Sequence, residues 1–440
     1  MKQLILSLSL LLILTGTSAA QSADTLRFTL HAAMNTAQQS SLSGQTAEAT
    51  LREAEARVQE AKGALLPTVT ATAANSIRSF NFAASQPPKL LANMHLQDNL
   101  GVLYNVQDAR LSARVSVLNL AAWRRLDAAQ QNVTVARENR NVQGSVVSAQ
   151  AADAWYALAR ARQSITIKQR LLDLATQIQT IAETQKASGS ATQFDVIRAQ
   201  GQVAVAQAAL LQAQTQAQTS SLGLQKILNL SMNSPVATTD TLDDPNEPMV
   251  EDLDSVISQA LSKREEILAA QQTMVVAEGD QRAISSEALP TIDLAADYGA
   301  SAYQFDNNEF TGSVSAQLTW SLWDGSRRNA RKAQQQERIA KTRIQLQDLR
   351  QGIEFEVRSA SNNLHASRDA VTISLQREDL ARQELALAEE RFKAGMSGLP
   401  DVITAQNNLS LASDALLDAR YRYHQARLSF CKATHQLETL

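Results

Sequence analysis

Two stretches of the chain alternate strictly between apolar and polar positions. From Pro290 to Tyr303, the residues Ile292, Leu294, Ala296, Tyr298, Ala300 and Ala302 fall on one parity and Thr291, Asp293, Ala295, Asp297, Gly299 and Ser301 on the other. Thr311 to Leu322 repeats the pattern, with Val314, Ala316, Leu318, Trp320 and Leu322 against Ser313, Ser315, Gln317, Thr319 and Ser321. A period of two predicts strands with one apolar face. Weaker copies stand at 67–77 and 110–118, where Leu111, Ala113, Val115 and Val117 oppose Arg110, Ser112, Arg114 and Ser116. After each pair of strands the pattern turns helical and proline disappears, with none between Pro88 and Pro235 and none between Pro290 and Pro400. Long helices are predicted over 121–187 and 324–394, each a rod of roughly 100 Å at about 1.5 Å per residue. Shorter ones are predicted over 26–66, 193–230, 252–289 and 400–437, short enough for two to stack end to end beside one rod.

The order is helix, strand, strand, helix, and it occurs twice. Asp195-Val196-Ile197-Arg198-Ala199-Gln200 returns as Asp401-Val402-Ile403-Thr404-Ala405-Gln406, and the same alignment brings Gly189 onto Gly395. Leu66-Pro67-Thr68-Val69 returns as Leu289-Pro290-Thr291-Ile292, and Arg124-Arg125 as Arg327-Arg328. The period of about 200 residues is far longer than the ~20–50 of solenoids, so the chain is a duplicated domain. The first repeat covers 21–230, a linker 231–250 and the second repeat 251–440. Residues 1–20 read as a secretory signal, with Lys2, an apolar run from Leu4 to Leu14 and Ser18-Ala19-Ala20.

Composition narrows the picture. Only 4% of residues are aromatic, and nine of the nineteen fall within the strand regions 67–118 and 290–323. Tyr298, Tyr303, Phe305, Phe310, Trp320 and Trp323 lie towards strand ends, as membrane-interface girdles require. Ten-residue strands suit a tilted crossing of a bilayer, but four strands cannot close a barrel, so the chain needs copies of itself. The formal net charge of −3 comes without a basic block, which argues against nucleic acid as a partner. Cys431 is alone and forms no intrachain disulfide. No catalytic motif or phosphate-cradling glycine loop is present, so no enzyme activity and no cofactor are expected. Cys431, His435 and His424 share a helix face; His424 is too far along the axis for one coordination sphere, so no metal site is expected, only a packed thiol beside surface histidines.

The duplicated layout, the Leu-Pro opening each first strand, the corner Ser321-Leu322-Trp323-Asp324-Gly325-Ser326-Arg327-Arg328 and the paired tips 189–200 and 395–406 resemble the TolC-type outer membrane efflux proteins. The resemblance implies a mainly α chain with a membrane β-barrel part, assembled as a homotrimer whose twelve-stranded barrel sits in outer membrane lipid and continues as a periplasmic tunnel of helices. It implies an exit duct for an inner membrane pump and a periplasmic adaptor, serving efflux or type I secretion. The rival is an exported coiled-coil scaffold or adhesin without a pore. The linker 231–250 reads as a solvated segment, whereas the resemblance implies that it packs into a belt around the tunnel. Residues 78–108, with Pro87-Pro88, read as a long outward loop.

The tips carry the candidate site. Gly395 and Gly398 suit a positive φ at a helix end, and Pro400 the first position of the next helix. Asp401 then falls in the first turn, where the helix dipole favours a carboxylate. The resemblance implies that Asp401 belongs to a carboxylate ring at the periplasmic mouth. Thr404 stands where a second ring carboxylate can occur, and Ser397 where an arginine can tie the mouth. Asp195 is a second candidate for the mouth; Arg198, three residues on, is spaced to form an ion pair that would hold it from the lumen. Adaptor docking is expected at Gly189, Ser190, Gly395 and Gly398.

Overall fold

The computed structural model describes residues 26–81, 101–245, 252–302 and 309–440. The chain runs from β1 (Leu26–Phe28) through α1 (Leu30–Ser40) and α2 (Leu42–Gly63) into the hairpin β2 (Thr68–Asn81) and β3 (Gly101–Leu118), then α3 (Leu120–Ala187) and α4 (Gln193–Ile227). After β4 (Val236–Thr238), the second half repeats the order with α5 (Leu253–Lys263), α6 (Glu265–Ser286), β5 (Thr291–Ala302), β6 (Glu309–Thr319), α7 (Arg327–Lys393) and α8 (Leu399–Ala433). The expected signal segment, Tyr303, Phe305 and Pro87-Pro88 lie outside the described residues.

The four long strands form one antiparallel sheet in the order β2-β3-β5-β6. Its central pair joins the two halves, with Leu111 opposite Tyr298 and Ala113 opposite Ala296. The alternation in sequence becomes two unlike faces. On one, Leu111, Tyr298, Val314 and Leu318 are each more than half exposed. On the other, Arg110 bridges the carboxylates of Asp108 and Asp297 and reaches the Thr311 hydroxyl at 3.2 Å. Ser301 and Ser313 donate to those same two carboxylates. Gly299 makes the close strand approach possible: a Cβ there would stand 2.4 Å from the Ala109 carbonyl oxygen and 2.7 Å from Arg110 Cα. The first hairpin is longer than its weak periodicity suggests. Backbone pairing runs from Thr68–Arg114 out to Asn81–Gly101, so 78–81 and 101–108 of the expected loop are strand, while 82–100 lie outside the described residues.

The helices make a layer below the sheet. α2 and α4 both pack on α3, α6 and α8 on α7, and α6 and α8 also on α3, which joins the halves. Slim residues allow the close approach: Gly279 of α6 lies against Ala128 of α3, where a Cβ would be only 3.4 Å from the Ala128 methyl. Two of the expected single helices are broken. Ser41 leaves α1 with an extended backbone and caps α2, its hydroxyl accepting the Gly44 N–H at 3.1 Å. Arg264 likewise has an extended backbone between α5 and α6 but gives no side-chain cap; it is 5% exposed and bridges Glu266 and Glu356. Neither break carries Gly or Pro, the usual sequence signals for one.

The largest apolar core lies where α1, α3, α4, α8 and the inter-half segment meet. Trp155 and Tyr156 are each 2% exposed there, and the Trp155 indole N–H donates to the Phe28 carbonyl at 2.9 Å. This corrects the reading of a solvated linker over its described part, 231–245. β4 pairs in parallel with β1, Leu26 to Val236 and Phe28 to Thr238, and Val236, Ala237 and Leu242 are buried. Burying a leucine side chain contributes about 1.5–3 kcal/mol, so Leu242 anchors the segment. His424 is likewise no surface residue. It is buried, stacks on Tyr156 at 5.0 Å and donates from Nε2 to the Asp243 carbonyl at 3.1 Å. Cys431 is a buried thiol, and His435 pairs with Glu265 at 3.1 Å. Among the described residues no group of His, Cys, Asp and Glu is arranged to hold a metal, and no helix is long and apolar enough to cross a membrane.

Candidate functional site at the helix tips

Both long helices end in the same way. The Gly189 N–H bonds to the Lys186 carbonyl and the Ser190 N–H to that of Gln185; in the second half, Gly395 bonds to Phe392 and Met396 to Arg391. This paired bonding is a Schellman motif, and it demands a left-handed residue, which Gly189 at φ 82° and Gly395 at φ 72° supply. Gly398 does not share that role. It is extended at φ −86° and forms the N-cap of α8, so Leu399 is the first helical residue and Pro400 the second.

The repeated hexamer now has a physical meaning. Asp195 and Asp401 each occupy the third position of a helix, where the first-turn N–H groups favour a carboxylate. Val196, Ala199, Val402 and Ala405 are buried and pack with Ile178, Ala182, Leu385, Phe392 and Leu399, which holds the two tips against each other. Gln185 Nε2 donates across to the Phe392 carbonyl at 3.2 Å, and Gln406 Nε2 to that of Leu171 at 3.3 Å.

The two aspartates differ because their N-caps differ. Thr192 makes a capping box: its hydroxyl accepts the Asp195 N–H at 3.2 Å, while the Asp195 carboxylate accepts the Thr192 N–H at 3.0 Å and its hydroxyl at 2.7 Å. Those bonds to Thr192, with a smaller contribution from the charge of Arg198, hold the Asp195 carboxyl below the usual aspartate range. Gly398 has no side chain with which to do the same. Among the described residues no hydrogen bond or ion pair engages the exposed Asp401 carboxylate. The expected Asp195–Arg198 ion pair is not formed; Arg198 instead lies over the Phe194 ring, 4.7 Å from its centroid. Sequence reasoning therefore missed Thr192, although Thr192-x-x-Asp195 has capping-box spacing. Thr404 spends its hydroxyl on the Pro400 carbonyl at 2.8 Å. Ser397 is half-buried, with its Oγ enclosed and unbonded.

Two ion pairs between the halves were also invisible in the sequence. Lys168 meets Asp414 and Arg160 meets Asp418, joining α3 to α8 across separations of 246 and 258 residues. Gly189, Ser190 and Gly395 stay exposed at the extremity, and Tyr298 stacks on Phe310 at 5.9 Å on the apolar sheet face. Trp320 and Trp323 are exposed at the opposite end of the second hairpin. Phe310 and Trp320 are ten residues apart, about 33 Å along a strand or about 25 Å across a bilayer at a tilt near 40°, the height of a lipid-facing band.

A two-faced sheet with aromatic ends, carried on a layer of very long helices with small packed side chains, is the architecture of an outer membrane export protein. The sequence profile of the outer membrane efflux proteins matches residues 33–230 and 256–434, and the chain belongs to that family. It is 25% identical over 320 residues to the outer membrane efflux protein BepC of Brucella suis, covering 70% of this chain and 68% of BepC. It is 23% identical over 335 residues to the pyoverdine export outer membrane protein OpmQ of Pseudomonas putida, covering 74% and 70%. With the outer membrane protein TolC of Escherichia coli it shares 25% over 185 residues, 39% of this chain and 38% of TolC. Among solved structures, the fold resembles the Campylobacter jejuni CmeC outer membrane channel with a TM-score of 0.77 at 14% identity, over 92% of this chain and 85% of that one. The Neisseria gonorrhoeae MtrE channel in its open state gives 0.74 at 18%, over 92% and 88%.

Proposed function

We propose that three copies of this chain close into one outer membrane duct, whose helical end docks a periplasmic adaptor and an inner membrane pump. The observation that carries the reading is the sheet: an exposed apolar face, a polar face crossed by the Arg110 network, and outer strands β2 and β6 that pair on one side only. Open edges in hydrocarbon would leave backbone groups unpaired at several kcal/mol each, and known single-chain barrels begin at about eight strands. Three copies of a four-stranded sheet give twelve strands, the number that the resemblance to TolC-type proteins implies.

The helices support the same closure. α7 carries Ile344, Phe355, Ile373, Leu380 and Leu387, each more than 60% exposed. Their intervals of 7, 11 or 18 residues keep them on one side of a helix. Phe194, Ile197, Val205 and Leu211 form a second exposed stripe on α4. α4 and α7 are the outer members of the layer α4-α3-α8-α7, so the α7 of one copy is placed to meet the α4 of the next. Closure brings three Asp401 carboxylates together at the tips. The Asp401 ring favours cations and answers to divalent ions, while Asp195, held by Thr192, contributes less. Thr404 and Ser397 add no charge beside the same mouth, and Gly189, Ser190, Gly395 and Gly398 present the tips to the adaptor. The polypeptide supplies a gated path, and the pump chooses the substrate.

The purified full-length protein is expected to run as a trimer in detergent and to give discrete conductance steps in planar bilayers. Phe355→Asp with Leu380→Asp should yield monomers without channels. A monomeric native protein that conducts nothing would overturn the reading in favour of a poreless scaffold.

A further inference from the structure

We propose that the strand-to-helix junctions form a basic, tryptophan-bearing collar that binds the phosphate headgroups of anionic phospholipids in the leaflet nearest the helices. The inference rests on the membrane-spanning reading above and starts from Arg124-Arg125 and Arg327-Arg328, the one duplicated motif that neither sheet nor gate uses. Both pairs sit just beyond a strand, the first in the second turn of α3 and the other as the opening residues of α7. Together with Arg331 and Lys332 they make six cations at this level, against Asp127, Glu287 and Asp324. The whole chain is net negative by three charges, so this local positive excess runs against its average.

Helix stability gives no reason for the arrangement. The positive end of a helix dipole repels cations, and α4, α5, α6 and α8 all place an acidic residue in their first turn. α1, α2, α3 and α7 have none, and of these only α7 opens on cations. Local pairing does not consume the charge either. Glu287 is shared by Arg125 and Arg331, and Asp127 meets Arg124 only at 3.7 Å. Among the described residues no carboxylate pairs with Arg327 or Arg328. Arg327 Nε donates to the Asp324 carbonyl at 3.0 Å and Arg328 Nη2 to that of Ser321 at 3.0 Å, while the Asp324 carboxylate is taken by the Arg328 backbone N–H at 2.9 Å. A guanidinium has five donors, so most remain to be satisfied.

The surroundings fit a lipid headgroup. A cleft of about 640 Å³ is lined by Ser321, Asp324, Arg327, Arg328, Arg331 and Glu287. The Gly325 and Ser326 backbones, left-handed at φ 71° and 68°, turn the chain sharply beside it. Trp123, Leu322 and Trp323 are 53%, 76% and 83% exposed next to the arginines, as side chains at a hydrocarbon-to-headgroup boundary are. Each cation near an anionic surface gains on the order of 1 kcal/mol, about fivefold in affinity.

The test uses the full-length trimer in neutral detergent, with dispersed phosphatidylglycerol or phosphatidylcholine added, and native mass spectrometry to count retained lipids. Phosphatidylglycerol should be retained in preference, and Arg327→Gln with Arg328→Gln should lower that preference about tenfold. Lys341→Gln with Arg343→Gln, an equal loss of charge further down α7, should leave it unchanged. If the double variant fails to assemble, Arg124→Gln provides the same comparison with a smaller loss. Equal retention of both lipids by the native trimer, or an undiminished preference in the junction variants, would overturn the proposal. So would displacement of the lipid by millimolar inorganic phosphate, which would make the cleft a phosphate site. Conductance on the same preparation separates the two readings: channels without lipid preference overturn the collar alone, whereas absent channels overturn the duct.

Discussion

The unequal tips can be exchanged by single substitutions. Gly398→Ser gives α8 the N-cap oxygen that Thr192 gives α4, so the Asp401 carboxylate, already at the third helical position, gains a partner. Gly398 has an ordinary negative φ, so a side chain is allowed; its Cβ would approach Pro400 Cδ at 3.2 Å, which asks for a small relaxation. A serine N-cap exceeds a glycine one by only a few tenths of a kcal/mol, which biases the carboxylate towards its helix by roughly twofold. If Asp401 lines the constriction, the divalent-cation concentration for half-block of single-channel conductance should rise up to about twofold in Gly398→Ser, and further in Asp401→Ala. Thr192→Ala should move the opposite way by releasing Asp195, at a cost of about 1 kcal/mol in helix stability. The measurement belongs at about 0.1 M monovalent salt, where screening acts over about 10 Å. Unchanged block in both Asp401→Ala and Gly398→Ser, with trimer mass and open conductance intact, would refute the assignment of Asp401 to the mouth.

Arg264→Met should destabilise the protein by about 2–3 kcal/mol in thermal melting, less than for a wholly enclosed ion pair because Glu356 is 48% exposed. Burial pushes the Glu266 carboxyl up, but its bonds to Arg264 outweigh that and hold it below the usual range. The lowered value means that the pairing stabilises fully above the ordinary glutamate pKa and is lost as pH falls through the folded one; melting scans should show the native protein losing more stability than Arg264→Met under acid. Gly299→Ala forces a methyl into the Ala109 carbonyl, so the proposed trimer should dissociate at lower temperature on heated gels, while a matching change at open Gly352 should have little effect. Leu242→Ala should cost about 2–5 kcal/mol in the same assay, a loss that a solvated linker would not show.

What could be read early and what could not follow the range of the interactions. The β5–β6 hairpin was legible because alternation is a local property, and its two faces reappear as Tyr298 and Val314 outside and Asp297 and Ser313 within the polar network. The first hairpin was underread because Arg78–Asn81 carries little periodicity and is held by backbone bonding to β3, which no side-chain pattern reports. At the tips, the glycine in a Schellman turn was visible at Gly189 and Gly395, whereas Gly398 needed the actual backbone angle. Spacing alone favoured an Asp195–Arg198 pair; the competing three-residue capping box won because its partners include a backbone N–H fixed in place.

By itself the sequence determined the duplication, the long proline-free helices, the alternating strands and the first-turn place of Asp401, since each is written within a few turns or a few residues of chain. Only the tertiary structure decided that Val236 pairs with Leu26, that His424 stacks on Tyr156, and that Lys168 and Arg160 bind α8. It also decided that Arg264 is buried and that, among the described residues, no carboxylate pairs with Arg327 or Arg328. Such facts depend on which distant segments share a surface, and a side chain's burial and unspent charge are set by neighbours hundreds of residues away.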